Sequence, residues 1–533
     1  MIVGKKLVAG LLAALLMPPL SCIFSSCQSS AGGKEVVTVR VDGPAKPISP
    51  LIYGMASPPQ TTLDELGVTL NRFGGNPSSR YNWKLGNAWN AGKDWFFENL
   101  DYTGGDKEPA EKALIRKSRA AGAATLLNLP LLEYVARDRT SYSFSVERYG
   151  PQQAVDPNRP DAGNGVKADG TPLTGNDPGD ASMKIDESFA VAWLDRLGGG
   201  VDIVALGNEP MLWDKTHRDV HPVPATYDEV LEKVVRWARA LKKEHPEVKI
   251  AAPGLWGWPA YFGSAKDRET TGADKRAHEG KNFIPWFLER MRKEEQLNGR
   301  RLIDYLDIHY YPQAEGVFSE RDDRTTSCLR LRSVRSLHDE DYQDESWIDR
   351  KVALIPRLKE WINEHYPGTG LLLSEYNFGG AGHISGALAQ AMALGVMARE
   401  GLDAACLWTY PPAGSPQAEA FRLYRNYDGA GARFGDRLVP SSGGSGSLFS
   451  VSALDAEGRR LTLVLVNHAA EACQPTVILD GGAAAKVRAF GFAEGDPAVR
   501  RLKDRVVLQP GGRSLEVTLG AMSMVLVEAE LNQ

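Results

Sequence analysis

The chain has 533 residues, 43% of them hydrophobic and 24% charged, with 62 basic against 67 acidic side chains and a formal net charge of −5. That length exceeds what one hydrophobic core organises, so two domains are expected. The near balance of charge excludes the basic field that draws nucleic acid or an anionic membrane, and leaves a neutral or weakly charged partner.

Residues 1–33 read as an export signal with a Ser/Gly-rich linker: Lys5 and Lys6 precede an apolar run over 7–17, followed by Pro18-Pro19 and a Ser/Cys-rich stretch. The run is too short to span a bilayer in the mature chain. Cys22 and Cys27 each follow a serine, as at a bacterial lipoprotein cleavage site, although Pro19 and Phe24 stand three residues before them where leucine is usual. Two destinations stay open, free secretion and a lipid anchor at the bacterial cell surface. Cys328, Cys406 and Cys473 are then left, an odd and scattered set without zinc spacing.

Residues 34–47 hold a strand-like run over 36–41 that is expected to join a later β-sandwich. From 48 to 415 short apolar runs ending in polar or aromatic residues alternate with helical stretches, the mark of βα units. The strand ends fall at Leu51-Ile52-Tyr53-Gly54, Thr69-Leu70-Asn71-Arg72-Phe73, Thr125-Leu126-Leu127-Asn128, Ile203 through Glu209, Ile250-Ala251-Ala252-Pro253, Leu306 through Tyr310, Leu371 through Glu375, and Ala405-Cys406-Leu407-Trp408. Eight such runs fit a closed (β/α)8 TIM barrel. Apolar residues at helical spacing predict helices over Tyr227–Glu244 and over 349–365. Residues 163–182, rich in Gly, Asp, Asn and Pro, predict a long loop between the third and fourth strands. Oxygens of Asp161, Asn164 or Asp169 could hold a structural calcium there, but a metal-free turn cluster is the plainer expectation, and no cofactor is required. From 416 on a second domain is expected, and beyond Ser441-Ser442-Gly443-Gly444-Ser445-Gly446 closely spaced strands without helices predict an all-β sandwich, a prop for the barrel.

Side chains at the C-terminal ends of barrel strands build the active sites of this fold. Two strand ends carry glutamate, Glu209 within Asn208-Glu209-Pro210 on the fourth and Glu375 within Ser374-Glu375-Tyr376 on the seventh. A retaining glycosidase needs such a pair, one carboxyl protonated to expel the leaving sugar and one ionised to attack the anomeric carbon. Glu209 is assigned as acid/base and Glu375 as nucleophile. Arg72 would keep Glu375 ionised, the neighbouring carboxylate would keep Glu209 protonated, and Asn208 would donate to the sugar 2-hydroxyl. Of twelve tryptophans, Trp193, Trp237, Trp286, Trp347 and Trp361 fall in helical segments and read as core. Trp83, Trp89, Trp95, Trp213, Trp256, Trp258 and Trp408 follow strand ends, where aromatic faces can stack on sugar rings. The substrate-binding set is Arg72, Asn208, Trp83, Trp89, Tyr310, Tyr376 and Trp408, with Tyr310 and Tyr311 as candidate partners of the nucleophile.

The ordered motifs Asn71-Arg72-Phe73-Gly74-Gly75-Asn76 with Tyr81-Asn82-Trp83, Asn208-Glu209-Pro210, His309-Tyr310-Tyr311-Pro312 and Ser374-Glu375-Tyr376-Asn377-Phe378-Gly379-Gly380 resemble glycoside hydrolase family 44. The resemblance implies a barrel plus a β-sandwich, endo-acting cleavage of β-1,4-glucan backbones such as xyloglucan and soluble cellulose derivatives with retention of configuration, and calcium in some members. By position Glu209 matches the family's acid/base and Glu375 its nucleophile. Gly207 departs from the pattern, since an Asp commonly precedes Asn-Glu-Pro, which bears on acid tuning or substrate preference. Rival readings are a clan relative acting on xylan, mannan or arabinan, and a non-catalytic polysaccharide-binding lipoprotein, which would not need both glutamates. A zinc hydrolase is disfavoured because none of the nine histidines completes His-Glu-x-x-His. A monomer is the expected state.

Overall fold

A computed structural model describes residues 35–101, 108–268, 271–444, 446–493 and 495–532. The export signal, Cys22 and Cys27 lie outside the described residues. Among the described residues no helix is long and apolar enough to cross a membrane.

Eight parallel strands close into a barrel: β1 (Gly54–Ala56), β2 (Leu70–Phe73), β3 (Ala124–Leu129), β4 (Ile203–Leu206), β5 (Lys249–Leu255), β6 (Tyr305–Tyr310), β7 (Gly370–Tyr376) and β8 (Ala404–Leu407). Each is followed by a helix: α1 (Gln60–Glu65), α2 (Ala110–Ala121), α3 (Glu187–Leu197), α4 (Tyr227–Glu244), α5 (Phe283–Asn298), α6 (Leu354–His365), α7 (Ile384–Arg399) and α8 (Pro416–Arg425). Period-two alternation turns Leu70, Leu126, Ile203, Ala205, Ala251, Leu372, Ala404 and Cys406 into the barrel interior, where they form a separate apolar plug. The opposite strand faces pack against the helices.

Three sequence expectations shift. Leu51 and Ile52 belong to a 3-10 turn opened by Pro50 and capped by the Ser49 hydroxyl, so the first strand begins at Gly54. Helix α6 starts at Leu354 rather than 349, because Asp349 (φ 43°) and Ala353 (φ 39°) take left-handed conformations that interrupt any helix before it. Trp347 therefore lies in a turn, 49% exposed, and is not core.

The strand Val36–Arg40 pairs parallel with Thr476–Asp480 and antiparallel with Ser441–Gly443 in a five-stranded sheet. A seven-stranded sheet lies against the barrel, with Val451, Val464, Phe490 and Leu526 sharing one apolar cluster with α7 and α8. Gly395 of α7 is required at this seam, since a Cβ there would come within 2.7 Å of the Phe449 ring. Buried Glu419 of α8 accepts a hydrogen bond from the Val499 amide at 2.7 Å.

Candidate active site

The polar residues of the barrel mouth come from the ends of β2, β4, β6, β7 and β8. Arg72, on the inward face of β2 and 1% exposed, donates from Nη1 to Glu375 Oε1 at 2.7 Å and from Nη2 to Asn208 Oδ1 at 3.4 Å. Glu375 Oε2 accepts from the Tyr311 hydroxyl at 2.8 Å. His309 Nδ1 lies 2.9 Å from Glu209 Oε1 and 3.4 Å from Glu375 Oε2, so one imidazole edge spans both carboxyl groups. Asn208 Nδ2 continues the network to Asn76 Oδ1 at 3.2 Å, and Asn76 donates to Asp94 at 3.0 Å.

Local backbone geometry aims the β4 end. Glu209 has φ 48° and ψ 55°, a left-handed conformation that a non-glycine residue holds only where its surroundings enforce it. Its amide donates to the Gly254 carbonyl at 2.9 Å, and Pro210 opens the following 3-10 turn. Gly207 itself has φ 82°, and a Cβ there would stand 3.2 Å from the Leu131 side chain. The glycine that departs from the family pattern thus suits a backbone that disfavours any side chain.

The two glutamates are driven apart in proton affinity. Burial raises the pKa of Glu209, and the ionised Glu375 adds to the rise against the opposing pull of His309 and Arg72. Burial would raise Glu375 too, but the charges of His309 and Arg72, with hydrogen bonds from Arg72 and Tyr311, outweigh it and hold Glu375 below the usual glutamate range. Burial would lower the pKa of His309, yet Glu375 and Glu209 raise it. The Glu209 side chain is 16% exposed and the Glu375 side chain 6%. Glu209 is therefore the group open to the mouth, with Glu375 deeper.

A register shift decides the tyrosines. Ile308 pairs with Leu373 but His309 with Glu375, so the irregularity at Ser374 turns Glu375 inward although Leu372 already faces the interior. Tyr310 and Tyr376, the next residues on each strand, face outward. Tyr310 is 2% exposed and packs against Phe378, and Tyr376 is fully buried with its hydroxyl accepting from Gln390 Nε2 of α7 at 2.8 Å. Neither reaches the mouth. Tyr311, just past the strand, meets Glu375. Trp83 is also removed from the site: it is 6% exposed, stacks on Trp193 and donates to the Phe189 carbonyl at 3.1 Å. Trp213 and Trp258 are buried as well. Trp89 is half-buried in a short strand, Ala88–Asn90, packed on the barrel core. Trp408 does stand beside the pair, partly exposed, with the Arg72 guanidinium 5.6 Å from its ring centroid. Gly75 makes room for it, since a Cβ there would lie 2.4 Å from Trp408 Cη2.

The residues that sequence reasoning passed over are His309 and Asp307. Their signal was present in the run Leu306-Asp307-Ile308-His309, where polar residues alternate with apolar ones on a strand otherwise buried on both faces.

Among the described residues Glu209, His309 and Glu375 form the one three-ligand group, but Arg72 already occupies a Glu375 oxygen at 2.7 Å and would repel a cation. The loop oxygens considered for calcium are taken by protein donors. Asp161 accepts from Tyr142, Ser145 and the Glu147 amide, Asp169 from Thr171, and Asn164 from the Val166 amide.

A parallel eight-stranded barrel whose fourth and seventh strands present a carboxyl pair at the C-terminal mouth defines the two-carboxylate class of barrel proteins. The sequence profile of glycoside hydrolase family 44 matches residues 88–314. The structure of CelM2, a bifunctional glucanase-xylanase from a metagenome library, is similar at 36% identity and a TM-score of 0.89, over 94% of this chain and 99% of that one. A Paenibacillus polymyxa xyloglucanase of family 44, solved with xyloglucan, is similar at 26% identity and a TM-score of 0.80, over 93% of this chain and 100% of that one. Endoglucanase A of Paenibacillus lautus is 31% identical over 476 residues, 82% of this chain. The chain spans 64% of that relative's own length. The chain belongs to glycoside hydrolase family 44.

Proposed function

We propose that the protein is an endo-acting, retaining glycoside hydrolase that cleaves β-1,4-glucan backbones, xyloglucan and soluble cellulose derivatives among them, with Glu375 as nucleophile and Glu209 as acid/base. The observation that carries the reading is the closeness of the pair: carboxylate oxygens of Glu209 and Glu375 and a ring nitrogen of His309 all lie within 4.8 Å of one another. Retaining enzymes hold their carboxyls about 5–5.5 Å apart, whereas inverting enzymes leave room for a water at roughly 6.5–9.5 Å.

In the first half-reaction a Glu375 oxygen bonds to the anomeric carbon while Glu209 gives its proton to the departing glycosidic oxygen, leaving a glycosyl ester on Glu375. In the second, Glu209, now ionised, takes a proton from water as the water oxygen bonds to the anomeric carbon and the ester breaks. Both groups return to their starting protonation. Arg72 and Tyr311 align the attacking carboxylate, Asn208 faces the sugar 2-hydroxyl, and Trp408 offers a ring face to the sugar being cleaved. Trp95, which donates to Asp156 at 3.3 Å, and Trp347, which donates to Gln313 at 3.3 Å, are exposed on the segments that follow β2 and β6, and in this reading they offer ring faces to more distant sugars of a long chain.

A second backbone, β-1,4-xylan, is favoured by the relation to CelM2. The polymer is met outside the cytoplasm in this reading, supported by the export signal over 1–33, with the protein either free or lipid-anchored and monomeric. Reducing-sugar release on xyloglucan, carboxymethylcellulose, xylan and mannan, with Glu209→Gln and Glu375→Gln alongside, tests it. Activity on β-glucans that both substitutions abolish is expected. Folded protein that binds these polymers and cleaves none would overturn the enzyme in favour of a capture protein. Unlabelled mature protein after feeding cells a tagged fatty acid would exclude the anchor.

A further inference from the structure

Beneath the carboxyl pair the barrel holds a third acid that the two-step reaction does not use. Asp307 precedes His309 by two residues on β6, on the same inward face, and is 1% exposed. Residues so spaced on a strand are roughly 7 Å apart along it. Two of their buried atoms have no hydrogen-bond partner, the acceptor Asp307 Oδ1 and the ring nitrogen His309 Nε2. Leaving such a donor and acceptor unmet costs about 1–3 kcal/mol each, and one water bridging them would meet both. On the β5 side Gly254 (φ 64°) faces Asp307, and a Cβ there would stand 3.7 Å from Asp307 Oδ2 and 2.9 Å from the Gly207 carbonyl oxygen.

We infer that Asp307 is a positioning residue for the proposed reaction: from the barrel interior it holds His309 as an imidazolium, aligned between Glu209 and Glu375. The inference rests on the carboxylate-pair reading above and assigns to one more residue the task of keeping that pair unequal.

The charges support it. Facing Asp307 and His309 are Arg72 from β2, Glu209 beyond β4, Ser374 and Glu375 from β7, and the Cys406 thiol from β8, with Tyr311 on the far oxygen of Glu375. Before attack, Arg72 and His309 are balanced by Glu375 and Asp307 while Glu209 is neutral. In the glycosyl ester, Glu375 is neutral and Glu209 has become the anion, so two cations again face two anions. An ionised Asp307 thus keeps the enclosed site neutral through both half-reactions, where an unpaired buried charge would be costly. Burial pushes the Asp307 pKa up and Glu375 adds to the rise, with His309, Arg72 and the Ser374 hydroxyl pulling against it and leaving it above the usual aspartate range. His309, with both carboxyl groups on Nδ1, directs its proton at Glu209 Oε1 and leaves Oε2 to carry the acid proton toward the leaving group.

The test is the pH profile of kcat/KM on an aryl β-cellobioside for wild type and Asp307→Asn. Removing the buried anion makes His309 easier to deprotonate, so the alkaline limb, where the imidazolium is lost, is expected to move down by about one unit, a tenfold loss on that side. Limbs that coincide with those of wild type overturn the proposal, whatever happens to overall activity. Should Asp307→Asn fail to fold, the wild type decides: with carbon-labelled histidine and His309→Gln to assign the signal, His309 is expected to stay cationic through neutral pH. Titration at the ordinary value of about 6.5 overturns it. A wild type inert on every glycoside refutes the function reading instead, and the histidine titration still reads the state of His309.

Discussion

Replacing Arg72 by Met separates the electrostatic account of the site from a purely steric one. The guanidinium sits 2.7 Å from Glu375, with the two side chains 1% and 6% exposed, so solvent screens the pair little. An arginine at this distance typically depresses a carboxylate by about 1–3 pKa units. Without it, burial acts on Glu375 against His309 and Tyr311 alone, and its pKa rises. The nucleophile must be ionised, so the acid limb of kcat/KM moves to higher pH by roughly 1–3 units, each unit costing about tenfold on that limb. Stability follows the same sign. A carboxylate depressed in the folded state stabilises it above the unfolded pKa, and this contribution disappears as pH falls through the folded value. Arg72→Met should therefore lose about 3–5 kcal/mol near neutral pH, the typical cost of halving a buried pair, and less in acid. Profiles of kcat/KM on an aryl β-cellobioside, with Tm measured across the same pH range, are the assay. Arg72→Lys keeps the charge but not the fork to Asn208 and should fall between. An acid limb of Arg72→Met that overlays the wild type would refute the reasoning, because Glu375 would then owe its ionisation to something other than Arg72.

The adjacent tyrosines give a paired control: Tyr311→Phe removes the 2.8 Å hydrogen bond to Glu375 and should lower kcat/KM about tenfold, while Tyr310→Phe, buried on the helix side, should leave it unchanged. Equal effects from the two would contradict the inward and outward assignment. Asp219→Ala breaks a bidentate pair with Arg80 at 3.1 and 3.0 Å, both side chains 0% exposed, and should cost about 3–5 kcal/mol in chemical denaturation. A denaturation midpoint matching wild type would show the pair to be dispensable. Trp95→Ala and Trp347→Ala, both at exposed sites, should keep wild-type turnover on an aryl cellobioside yet lose two- to tenfold in kcat/KM on long cello-oligosaccharides, about 0.5–1.5 kcal/mol per stacked ring. Equal losses on short and long substrates would remove both from the substrate path.

The sequence alone determined the barrel and the two carboxyl groups, because both are written in local order. Buried parallel strands appear as short apolar runs, and a polar residue ending such a run has only the C-terminal mouth to face, which made Arg72, Asn208, Glu209 and Glu375 legible. Helix α4 was legible over its full length, since Val230, Val234 and Ala238 repeat at helical spacing. Tertiary structure alone decided which aromatics are buried in the core and which stay exposed. Tyr310 and Tyr311 are adjacent and chemically identical, and only the strand's pleat sends one outward and frees the other to turn in. Trp83 and Trp347 exchange their expected exposure, one sealed against Trp193 and the other exposed in a turn, because tryptophan packs equally well in a core or on a sugar and local sequence holds no record of what stands opposite. His309 and Asp307 acquire their roles from Glu209, Glu375 and Arg72, residues 65 or more positions away in the chain that only closure of the barrel brings within reach.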